Sequence, residues 1–137
     1  MKLGMDVLEN KLNFLYILVE GISKHININF DFFMFVINNN LTCTDVVLIT
    51  KALTIMNYRR FGVLDDNTIE FNDDGRLKGI LVDKTPNFKE FKNFLLSINL
   101  NINAEELLNS LINQKIGINI CKFLLEDGVN NWYNLLV

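Results

Sequence analysis

Few side chains in this chain could do chemistry, and five of its sixteen carboxylates cluster within residues 65–74. Asp65, Asp66, Glu70, Asp73 and Asp74 fall there together. Acids spaced along a loop can wrap a calcium ion, but the helix–loop–helix calcium pattern also needs a glycine at its sixth position and a glutamate at its twelfth. Counted from Asp65, the sixth position is Glu70 and the twelfth is Arg76. The template fails, and the acids read as a solvated turn. His25, the only histidine, has no cluster of Cys, Asp or Glu beside it and reads as a boundary residue rather than a metal ligand or a base. Cys43 and Cys121 lack CxxC spacing and read as free thiols. No nucleophile stands in a GxSxG elbow, and there is no phosphate loop and no HExxH pair. The residues point to no catalytic site, no metal site and no cofactor.

The elements that would position the acids read as an inserted β-hairpin over about residues 67–82. Thr68–Phe71 and Arg76–Leu81 are short β-like runs, and Asn72-Asp73-Asp74-Gly75 between them is hairpin-turn chemistry. Around it the pattern is helical. Leu8, Leu12, Leu15, Val19 and Ile22 recur at alternating four- and three-residue steps in a helix over about Asp6–Lys24, with Val7, Phe14 and Leu18 widening one flank. That seam either docks on the chain's own domain or pairs with a second chain. Phe30, Phe33, Met34 and Ile37 mark a short second helix ended by Asn38-Asn39-Asn40. Thr42 and Asp45 form a capping box that opens a long helix to about Tyr58, apolar on one half.

Further on, Thr85 and Pro86 open a helix carrying Phe88, Phe91, Phe94 and Leu95. Asn103 and Glu106 box the next, which buries Leu107, Leu108 and Leu111. A last short helix over Ile116–Glu126 stops at Gly128, leaving a tail whose Trp132 and Tyr133 should dock on the domain or on a partner. The expected fold is mainly α, a compact bundle of about six helices with the inserted hairpin, in one domain spanning 1–137.

Two stretches resemble the YhaI-like family, short helical proteins of low-GC bacteria. The first carries Phe32, Phe33, Ile37, Asn40, Leu41, Thr42 and Asp45. The second carries Ile102, Asn103, Glu106, Leu108, Leu111 and Gln114. The likeness covers about two thirds of the chain and leaves out the hairpin region and the aromatic tail. It implies an all-helical, self-associating fold and supplies no site.

Composition bounds the function. Of 137 residues half are hydrophobic and 21% charged, a globular balance; the single proline suits helices. A net charge of −3 argues against nucleic acid or an anionic membrane as the main partner. The acids Asp6 and Glu9 precede the first apolar run, unlike a signal peptide, and no apolar run is long enough to span a membrane. A cytoplasmic protein is expected, of a bacterium or of an infected host cell. The abundance of Asn and Ile suggests an AT-rich genome, such as that of a low-GC bacterium or its phage. The reading that follows is a small non-enzymatic interaction or regulatory module. It assembles with itself, and a phage or mobile-element factor that inhibits a host protein fits the same pattern. Its candidate contact residues are the first-helix seam, the acids Asp65 to Asp74, and Trp132 with Tyr133. A winged helix-turn-helix regulator, with the Thr42 helix as reader and the hairpin as wing, is the alternative; an enzyme of unrecognised type is the second.

Overall fold

The protein is described here as a computed structural model covering residues 4–65 and 74–136, with side chains to 130. Its elements are α1 (Met5–Ile26), α2 (Asp31–Asn38), α3 (Cys43–Arg60), a 3-10 helix η1 (Gly75–Ile80), α4 (Phe88–Ser97), α5 (Ala104–Asn113) and α6 (Ile118–Leu136). No strand occurs among the described residues.

Local chemistry sets the helix ends. The Thr42 hydroxyl accepts from the Asp45 N–H at 3.1 Å, and the Asp45 carboxylate accepts from the Thr42 N–H at 2.9 Å, so the capping box before α3 is complete. Asn103 caps α5 by accepting from Glu106 N–H at 2.9 Å; only that half of the expected box is formed. The first two helix ends after α1 share one design. Asn40 after α2 and Gly62 after α3 adopt left-handed φ of 55° and 67°. The next N–H then reaches back, Leu41 to the Val36 carbonyl and Val63 to that of Tyr58, each at 3.0 Å. Asn99 and Lys115 repeat the arrangement after α4 and α5, with φ of 63° and 64°. These are Schellman ends, which satisfy carbonyls that a helix leaves open.

The start of α4 differs from expectation. Asn87, not Thr85, is its cap, accepting from Glu90 N–H at 2.8 Å, and Pro86 lies fully buried ahead of it. The Asp127 carboxylate of α6 accepts from Phe88 N–H at 2.9 Å and takes a second open donor of that helix.

The core gathers Phe32 and Phe35 of α2, Leu48 to Met56 of α3, Phe91 to Leu95 of α4, Leu107 to Leu111 of α5, and Ile120, Cys121 and Leu124 of α6. Helix α5 lies against α2, α4 and α6, and α6 also touches α3 and α4. Leu77 and Ile80 of η1 complete the core, at 0% and 4% exposure. They correct the expected hairpin. A strand sends residues three apart to opposite faces, whereas a 3-10 turn stacks them on one. Burying both Leu77 and Ile80 therefore selects the 3-10 turn. Asp74, expected in a hairpin turn, caps it by accepting from Arg76 N–H at 2.9 Å. The other expected arm, Thr68–Phe71, lies outside the described residues.

Helix α6 also departs from expectation, running through Gly128 to Leu136. A Cβ at Gly128 would stand 3.0 Å from the Phe88 ring, so the glycine serves the close approach of α6 to α4 rather than ending the helix. Helix α1 stands apart. It buries no residue, and among the described residues no other element packs closely along it.

Candidate functional site

The seam residues expected from spacing lie on one long exposed face. Leu8, Leu12, Leu15 and Ile22 are 43%, 64%, 55% and 38% exposed, and Val19 is half-buried. Met5 and Ile26 extend the same three- and four-residue steps by one position at each end, and both are exposed. Sequence reasoning stopped short of them, although the spacing itself continued through Ile26. On the flank, Val7, Phe14, Ile17 and Leu18 are exposed as well. At 3.6 residues per turn the apolar positions sweep roughly two thirds of the circumference, with Ile17 opposite the seam, far wider than the stripe that one neighbouring element covers.

Asp6 stands in the first turn of α1, and Lys24 and His25 in its last. The helix ends at Asn27 in a left-handed conformation (φ 55°), and Ser23 Oγ donates to the Ile28 carbonyl across the turn. Four residues later α2 begins with Asp31, whose N–H donates to Asn29 Oδ1 at 2.7 Å. Phe33 and Ile37 of α2 are 49% and 51% exposed.

The acidic candidates do not assemble a site in the described part of the chain. Asp65 is exposed. Asp66, Glu70 and Asp73 lie outside the described residues. Asp74 forms a two-armed ion pair with Arg76, Oδ1 to Nε at 3.0 Å and Oδ2 to Nη2 at 2.7 Å. The guanidinium of Arg76 holds the Asp74 carboxyl down at about 2, and Asp74 in turn raises Arg76. Among the described residues no group of three His, Cys, Asp or Glu could hold a metal ion. Trp132 and Tyr133 belong to the backbone of α6, and their side chains lie outside the described set.

The helix expected as reader in the helix-turn-helix alternative packs one face into the core and leaves Val47, Thr54 and Tyr58 exposed on the other. Helix α3 buries Leu48, Ile49, Ala52, Leu53, Ile55, Met56 and Arg59. Arg60 lies over the rings of Phe61 and Phe123, 4.9 Å from each centroid. Lys51 lines a shallow cleft with Asp74, Arg76 and the exposed Cys43. The wing that this reading needs begins, at Gly75, as the 3-10 turn.

Cys121 is fully buried, and burial pushes its thiol up to about 12, the reverse of an activated nucleophile. A second cleft between α4, α5 and α6 is lined by Phe88, Glu105, Leu125, Gly128 and Val129 and is mostly apolar. No protein-family model, curated protein or solved structure matches the chain. Among the described residues no helix is long and apolar enough to cross a membrane.

Proposed function

We propose that this protein is a non-enzymatic interaction module that assembles with itself through α1. One observation carries the reading: a 22-residue helix with no buried residue exposes ten large apolar side chains, nine of them in a continuous seam and flank. Monomers seldom leave contiguous apolar surface of more than a few hundred Å² in water, and larger patches mark contacts. The core of the remaining helices closes without α1, so the seam serves assembly rather than folding of the body. The resemblance to YhaI-like proteins points the same way. Assembly of this kind suits a cytoplasmic scaffold or regulator, for which no residue of the seam need be reactive.

Light scattering at several concentrations tests this. The expected mass is a multiple of the monomer's. Leu15→Asp places a charge in the middle of the seam and should return the protein to a monomer without lowering the unfolding midpoint of the body. A strictly monomeric parent protein at high concentration would sink the reading.

A further inference from the structure

The shape of the apolar surface on α1 says how a second copy is seated. The seam Met5, Leu8, Leu12, Leu15, Val19, Ile22 and Ile26 fits one facing helix, but the flank of Val7, Phe14 and Leu18 falls outside the reach of a single helix and stays exposed unless something else covers it. The flank belongs to the N-terminal two thirds of α1. In this chain, the exposed apolar side chains that follow α1 directly in sequence lie past its other end, at Ile28, Phe33 and Ile37. Helix α1 is about 33 Å long, so a parallel pair would leave both flanks far from both copies of α2. An antiparallel pair brings the N-terminal half of each α1 to the α2 of the other copy.

Helix dipoles agree: antiparallel packing sets the positive first turn of one α1 beside the negative last turn of the other, whereas a parallel pair stacks like on like. The exposed apolar side chains of α1 together offer on the order of the 800 Å² per partner that a stable complex buries.

We propose that two copies of this chain pair through antiparallel α1 helices, Leu8 opposite Ile26, Leu12 opposite Ile22 and Leu15 opposite Val19, with the Val7–Phe14 flank seated on Phe33 and Ile37 of α2 in the second copy. The proposal rests on self-association through α1. It adds the direction, the register and a second contact.

The test uses the full chain with Cys43→Ser, leaving buried Cys121 in place, and rim positions that keep the seam intact. In this register Lys11 of one copy lies near His25 of the other, whereas two Lys11 residues are about 18 Å apart along the axis. A mixture of Lys11→Cys and His25→Cys proteins, treated with a short bismaleimide linker, should give a cross-linked dimer containing both variants. Lys11→Cys alone should give none. Cross-linking of Lys11→Cys alone means a parallel pair, and failure of the mixture to cross-link while light scattering shows dimers overturns the register; either result rejects this geometry and leaves self-association standing. Phe33→Ser supplies a second reading. It should weaken dimerisation at least tenfold with the body's unfolding midpoint lowered little, and unchanged dimerisation rejects the α2 contact. A monomeric parent protein instead rejects the self-association on which the geometry rests.

Discussion

Arg59 and Glu90 form a two-pronged ion pair inside the fold, Nη1 to Oε2 at 2.5 Å and Nη2 to Oε1 at 2.9 Å. The Arg59 side chain is 1% exposed and that of Glu90 23%. The same guanidinium donates through Nε to the Lys84 carbonyl at 2.9 Å and through Nη1 to the Ile80 carbonyl at 3.1 Å. One side chain of α3 thereby fastens η1, the link after it, and α4. A buried charge is tolerated only when its donors are matched in this way.

Glu90→Ala should therefore cost about 3 kcal/mol in denaturant unfolding, because it strands a buried cation. Arg59→Lys should fail to substitute, since one ammonium cannot serve a carboxylate fork and two carbonyls at once. A loss from Glu90→Ala below about 1 kcal/mol would mean that water replaces the carboxylate.

The contact of Gly128 with Phe88 gives a sign-changing pair. Gly128→Ala gains about 1 kcal/mol of helix propensity but forces a Cβ to within 3.0 Å of the Phe88 ring, an overpacking that costs about 1–3 kcal/mol. The single change should lower the melting temperature. In a Phe88→Ala background, where only the Cβ at 3.4 Å remains, the same change should raise it, and thermal unfolding of the four proteins decides.

Asp74 titrates far below the ordinary carboxylate because Arg76 favours its charged form. Its pKa is lower folded than unfolded, so the stability it contributes is present above the unfolded value of 3.8 and is lost as pH falls through about 2. Side-chain carboxyl NMR should find that low value, and Arg76→Ala should return it towards 3.8. An unchanged titration in the variant would show that the ion pair is not made in solution.

Cys121 works in the opposite direction. Its thiol is raised from 9.0 to about 12 by burial, so the neutral form is favoured in the folded state. Stability should fall as pH rises above 9, where the unfolded chain ionises and the folded one does not. Maleimide should label exposed Cys43 at neutral pH and leave Cys121 unlabelled until the protein unfolds, as read by intact mass.

By itself the sequence determined what depends on near neighbours. Thr42 with Asp45, the Asn38-Asn39-Asn40 stop, the Asn103 cap and the apolar spacing of each helix act within one or two turns, and the folded chain uses them. The seam on α1 was legible for the same reason. Its exposure was not, because a docked helix and a paired helix carry the same spacing, and only the tertiary structure shows that the core of the described residues is built without α1. Residues 75–80 were misread for a related reason. Asp-Gly favours a hairpin locally, but the core needed Leu77 and Ile80 on one side, and burial outweighed the turn preference. Gly128 read as a stop because nothing near it in sequence reveals Phe88, and Arg59 could not be matched to Glu90 across 31 residues. Contacts between segments distant in the chain are decided by packing, and only the tertiary structure holds them.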